Sequence, residues 1–293
     1  MNSSTKNRKV VLFLAISVLL ATGLLIVFAF QDIAISEQLY NNESIFGIAF
    51  ETFGLWPGIL PIPIFAATWC AKKAPTEYKM IAIVFLAGGS AGLWYKTFDE
   101  LAENGIVKEI PYLWLAVATI ILAVVIFFVV NKLHINTLVK LSFVCEVGTV
   151  YFFVYNVIGG GIKLLWGRWR YFEMLELGNL DKFSPWYMPQ GYNGHTSFPS
   201  GHVMASCGIF IMLLYVIIQT KNKGAHAFAT LGCSMYVFCM AVSRIIMGRH
   251  FASDTVMGIL IGIFVFTAIL NSSRYKKVYN YYRYEADKVK RRV

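Results

Sequence analysis

Charge is scarce in this chain. Of its 293 residues only 14% are Asp, Glu, Lys or Arg, while 57% are hydrophobic; an ordinary soluble domain carries about 25% charged residues. The shortage excludes a water-facing globular surface and points to a bilayer. Cysteine is scarce as well. Cys70, Cys145, Cys207, Cys233 and Cys239 all fall within or at the edge of apolar runs, with no C-x-x-C pair. This spacing provides no disulfide framework and no zinc-binding pattern, so the five read as small packing residues. A small-x-small cleavage pattern is also missing from QDIAIS, which follows the first apolar run. The run from Val10 to Phe30 is therefore expected to stay as an uncleaved helix.

Long apolar runs are abundant. Crossing about 30 Å of hydrocarbon takes roughly 17 to 25 residues, and eight candidate spans lie at about 10–30, 55–71, 80–96, 111–131, 141–161, 202–220, 227–244 and 254–270. They predict an all-α, polytopic membrane bundle of about eight transmembrane helices forming one membrane-embedded domain over 1–293. Pro57, Pro61 and Pro63 interrupt the second span, and Gly88, Gly89 and Gly92 soften the third. Membrane helices tolerate both when neighbours satisfy the freed backbone groups.

Short cytoplasmic loops are enriched in Lys and Arg. With the N-terminus inside, 18 of the 26 basic residues are inside: Lys6, Arg8, Lys9, Lys72, Lys73, Lys79, Lys132, Lys140, Lys221, Lys223 and eight after Asn271. Most acids fall outside, with Asp32, Glu37, Glu43 and Glu51 in the first outer loop and Asp99, Glu100, Glu103 and Glu109 in the second. Both termini are therefore expected in the cytoplasm, across what reads as a plasma membrane. The net charge of +10 resides mostly in the tail, 271–293, a topology signal and a contact for anionic lipid headgroups rather than for nucleic acid.

Six of the eight basic residues that break this rule cluster on the outer face: Lys163, Arg168, Arg170, Lys182, Arg244 and Arg249. His195, His202 and His250 join them there, while His134 and His226 fall inside. Guanidinium and ammonium groups at a bilayer edge suit phosphate. Ser200, Gly201 and His202 open a helix whose first-turn N–H groups would face an anion. His250 and Asp254 are four apart, so on a helical turn the carboxylate can hold one imidazole nitrogen and leave the other to attack. A second histidine can then serve as general acid for the leaving oxygen.

Lys163-x6-Arg170, then Pro199-Ser200-Gly201-His202, then Ser243-Arg244-x5-His250-x3-Asp254 resembles the three-part signature of the type 2 phosphatidic acid phosphatase family, lipid phosphate phosphatases related to vanadium haloperoxidases. The resemblance covers roughly 141–270, after N-terminal helices in 1–140. It implies a six-helix core with about two helices added, and hydrolysis of a lipid phosphomonoester or diphosphate with no metal or other cofactor. On the matching positions, His250 would become a phosphohistidine, oriented by Asp254. His202 would protonate the leaving oxygen, and Lys163, Arg170, Ser200, Gly201 and Arg244 would bind the phosphoryl oxygens. One departure is Tyr171, which follows Arg170 where the family usually has proline. That restores an N–H and removes no phosphate ligand, though Arg168 competes with Arg170 for the role.

Other readings stay open on the residues alone. The same cations would suit a phosphate-lipid binder or transporter without turnover, or a phosphotransferase to an alcohol acceptor. Three outer histidines with Asp254 offer a metal site, which the surrounding Lys and Arg disfavour. Glu146, inside a span near its cytoplasmic end, is expected to pair with a lysine such as Lys140. Arg249 stays outside the catalytic set, and the aromatic stretch from Ser184 to Gly194 is placed at headgroup level. Neither the particular lipid nor the oligomeric state follows from the sequence.

Overall fold

A computed structural model of the chain describes residues 3–71 and 76–290. Lys72, Lys73, Arg291 and Arg292, all counted in the inner charge, lie outside the described residues. The fold is all-α, 81% helical and without strands among the described residues. In order come α1 (Ser3–Leu39), α2 (Ile45–Phe53), α3 (Trp56–Ile59), α4 (Pro61–Ala71), α5 (Thr76–Glu103), α6 (Tyr112–Asn131) and α7 (Ile135–Trp166). There follow α8 (Tyr171–Leu177), α9 (Gly201–Ser206), α10 (Phe210–Gln219), α11 (Lys223–Ile246), α12 (Ala252–Asn271) and α13 (Ser273–Lys290). Among the described residues, eight segments are long and apolar enough to cross a membrane. Leu19, Phe30, Leu113, Ile120 and Phe228 leave more than 60% of their surface open, as expected where lipid rather than water covers the bundle.

The chain is tied together by α7, α9, α10, α11 and α12, whose shared core includes Val147, Tyr151, Met204, Met240 and Val265. The Tyr151 hydroxyl donates to the Met204 carbonyl at 2.6 Å, joining α7 to α9. Against this core α1 packs on α12, α2 on α11, and α4 on both α5 and α7. The second span begins earlier than expected, at Ile45 rather than about 55, and is divided into α2, α3 and α4, with Pro57 and Pro61 at the starts of α3 and α4; the break allows a close approach. A Cβ on Gly58 would lie 2.9 Å from the Ala205 carbonyl oxygen, so glycine lets α3 lie directly on the end of α9.

Three expectations need correction. The acids Asp32, Glu37 and Glu51 are not in an outer loop but in α1 and α2, and Asp99, Glu100 and Glu103 are in α5. Asp32, Glu51 and Glu100 are buried. The helix α1 continues nine residues beyond its apolar run because Asp32 finds a buried partner there, as described below. Glu146 pairs not with Lys140 but with Arg274 of α13 at 2.5 Å, and accepts a bond from the Tyr275 hydroxyl at 3.1 Å. Lys140 donates to Gln219 instead.

Candidate active site

The first motif sits where α7 ends. Gly167 caps the helix with φ of 54° and returns its N–H to the Lys163 carbonyl, a left-handed conformation that glycine adopts without steric cost. Lys163, in the last turn of α7, lies beside the start of α9, where a Cβ on Gly201 would lie 3.5 Å from Nζ. Among the described residues the Lys163 ammonium makes no hydrogen bond or ion pair. Arg170, at the start of α8, reaches Thr196 Oγ1 at 3.3 Å and lies 3.9 Å from Glu173. Its buried Nε has no hydrogen-bond partner.

The second motif caps α9. Ser200 Oγ accepts from the Val203 N–H, and the Ser200 N–H donates to the Asp254 carbonyl at 3.1 Å. That backbone bond joins motif two to motif three. Gly258, one turn farther along α12, allows the contact, since a Cβ there would lie 2.9 Å from the Ser200 carbonyl oxygen. His202 follows in the first turn with Nε2 3.2 Å from Glu100 Oε1, outside hydrogen-bonding geometry.

The third motif places His250 and Asp254 around the start of α12. His250 is 3% exposed, and its Nδ1 lies 2.6 Å from the Ser197 carbonyl oxygen. A carbonyl only accepts, so Nδ1 carries the proton and Nε2 keeps its lone pair. Burial pushes His250 down to about 3, assisted by the charges of Lys163 and Arg170 and opposed by Asp254; the ring is neutral near pH 7. Asp254 stands 3.8 Å from His250 Nδ1, too far for a hydrogen bond. The expected direct carboxylate hold is thus replaced by an indirect one. Asp254 accepts from the Ser197 hydroxyl at 2.6 Å and from the Phe251 N–H at 2.8 Å, fixing the loop whose carbonyl orients the imidazole.

Sequence reasoning missed the carboxylates that face these cations. Arg168, fully buried, donates to Asp254 at 2.5 Å, Asp32 at 2.9 Å and Ser253 at 2.8 Å. Its Nε bonds the Ser184 carbonyl, so it is a sealed cross-brace and does not compete with Arg170. Arg244, also fully buried, donates to Glu51 at 2.7 Å and to the Gly47 carbonyl at 3.2 Å. Arg249 lies 3.0 Å from Glu51 and 3.4 Å from Glu103, over the Phe172 ring. The available signal was three acids close to apolar runs, because ionisable groups inside or beside a span are costly and normally have a partner.

Two further features of the sequence have structural partners. His195 stacks on Trp169 with ring centroids 3.4 Å apart and places Nδ1 3.1 Å from Glu173. In the aromatic loop, Trp186 donates to the Leu25 carbonyl of α1 at 2.8 Å. Among the described residues no group of three His, Cys, Asp or Glu is arranged to hold a metal ion.

Residues 141–277 match the model of the PAP2 superfamily. Searches of curated proteins and of solved structures found no match. The matched segment, just under half of the chain, contains all three motifs, which the fold brings to one end of the bundle, and through it the chain is similar to the PAP2 superfamily, a family of phosphatases acting on phosphate esters.

Proposed function

We propose that the protein is an integral membrane lipid phosphatase hydrolysing a phosphomonoester or diphosphate of a lipid headgroup through a phosphohistidine, without a metal, at the extracytoplasmic face of a plasma membrane. The observation that carries the reading is the state of His250, buried, neutral and held through Nδ1 with Nε2 unprotonated. A binder needs cations but no such nucleophile.

In this mechanism His250 Nε2 attacks phosphorus while the P–O bond to the lipid breaks, and His202 supplies the proton to the departing oxygen. Water, giving its proton back to His202, then displaces the phosphoryl group from His250 as inorganic phosphate. Lys163, Arg170, Ser200 and Gly201 would surround the equatorial oxygens, with Arg244 joining them on exchanging its buried Glu51 and Gly47 partners for phosphate; fixed cations and N–H donors there stabilise the developing charge. The basic tail would rest on anionic headgroups of the inner leaflet.

The test is phosphate release in detergent with EDTA present, from phosphatidate, phosphatidylglycerol phosphate, sphingosine phosphate and undecaprenyl diphosphate, with His250→Ala in parallel. Hydrolysis of at least one lipid, lost in the variant, is expected. No release from any of them, or an equally active variant, overturns the reading.

A further inference from the structure

A cavity of about 680 Å³ opens beside His202 and Lys163 and runs down between α5 and α7, with α4 and α9 behind it. Its upper end is polar, formed by Lys96, Glu100, Lys163, Gly201 and His202. Below, the wall is mainly apolar apart from Asn156, with Phe85, Val84, Phe152 and Phe153 farthest from the polar end along their helices. From Lys163 to Phe152 along α7 is about 16 Å, and from Glu100 to Val84 along α5 about 24 Å, at 1.5 Å per residue. One leaflet of hydrocarbon is about 15 Å deep.

The glycines in this wall are of two kinds. Gly89 serves packing, since a Cβ there would lie 2.7 Å from Pro63 Cδ, and Gly159 abuts the Met204 side chain. Gly88, Gly92 and Gly160 face open space, with no atom within 4 Å of an added Cβ. Helix packing does not account for these three, which cost helix stability relative to other residues. They widen a channel that ends on the Lys163 ammonium and on the buried His202 Nε2, which lies 3.2 Å from Glu100 but has no hydrogen-bond partner.

We infer that this groove holds one hydrocarbon chain of the substrate, with the phosphate at Lys163 and His202 and the chain lying over Gly160, Gly92 and Gly88. The inference rests on the lipid phosphatase reading and assigns a purpose to α4 and α5, which precede the segment matched to the family. Phosphate anchors at the cationic mouth, and the apolar length below excludes water from the chain. The groove therefore selects for chain length, with long-chain lipid phosphates favoured over truncated ones.

Leucine at Gly88, Gly92 or Gly160 projects into the groove from a Cβ that meets no atom within 4 Å, and each change favours the helix. In nanodiscs, kcat/KM for a single-chain C16 lipid phosphate is expected to fall at least tenfold in each variant. Hydrolysis of a water-soluble, short-chain phosphate ester should stay within twofold of the parent. Unchanged long-chain hydrolysis overturns the inference, and so does an equal loss on both substrates. A second arm needs no turnover. A C16 phosphate with a diazirine in its tail, photolysed in the parent, should label residues 84–92 of α5 and 152–160 of α7, and Gly92→Leu should abolish that labelling. Labelling elsewhere refutes the groove even if the enzyme is active. Labelling there with no hydrolysis of any phosphate ester sustains the groove and refutes the phosphatase reading.

Discussion

Asp32 is the buried acid whose removal gives the clearest energetic test. Its carboxylate accepts from Arg168 at 2.9 Å, from the Ser253 N–H at 3.0 Å and from the Ser253 hydroxyl. Arg168 and Ser253 are fully buried and Asp32 is 1% exposed, so water cannot substitute. Asp32→Ala leaves part of the Arg168 charge without its counterion and strips the first turn of α12 of an acceptor. Removing one partner of a buried ion pair costs about 3–5 kcal/mol, equivalent to a drop in Tm on the order of 10 °C for a chain of this size. Asp32→Asn keeps an acceptor oxygen but not the charge and should cost less, about 1–3 kcal/mol. The assay is thermal unfolding in detergent, followed by the near-ultraviolet signal of the tryptophans. An alanine variant melting within 2 °C of the parent would refute the claim that α1 is braced to the active-site loop through Arg168.

Further outcomes follow from other contacts. Glu100→Gln removes the charge beside His202 and should lower kcat by about 10–100-fold with KM nearly unchanged; steady-state kinetics on the best lipid phosphate checks this, and an unchanged kcat counts against Glu100 as a positioning residue for His202. Gly58→Leu forces a side chain against the Ala205 carbonyl and should destabilise by about 1–3 kcal/mol, read from the same melting curves. His250 is held at about 3 against an ordinary 6.5, so below pH 6.5 the unfolded chain takes up a proton that the folded one refuses. Its contribution to stability is full above pH 6.5 and declines as pH falls toward 3; Tm measured from pH 8 to 4.5 should fall less steeply in His250→Gln than in the parent.

Much of the fold was legible because membrane helices are read from apolar length, a local property. All eight spans appeared in the sequence, with ends displaced where helices continue past the hydrocarbon. The three motifs were legible as spacings, and the chain folds so that Lys163 approaches Gly201 and the Ser200 N–H meets the Asp254 carbonyl. Long-range pairing was not legible. Asp32 lies 136 residues from Arg168, and Glu51 lies 193 from Arg244. Nothing local distinguishes such acids from loop residues that merely end an apolar run. The part played by Ser197 was hidden for a related reason, since its backbone carbonyl rather than its side chain orients His250, and every residue type has a carbonyl.

The central claim is that His250 Nε2 becomes phosphorylated. Lipid phosphate labelled in the transferable phosphoryl group should be mixed with the parent and with His202→Ala, quenched with alkali within milliseconds to seconds, and digested for mass spectrometry. An alkali-stable, acid-labile phosphoryl group on the peptide containing His250 is the expected result, absent from His250→Ala. A label on another residue, or phosphate released with no labelled peptide at any time, would contradict it.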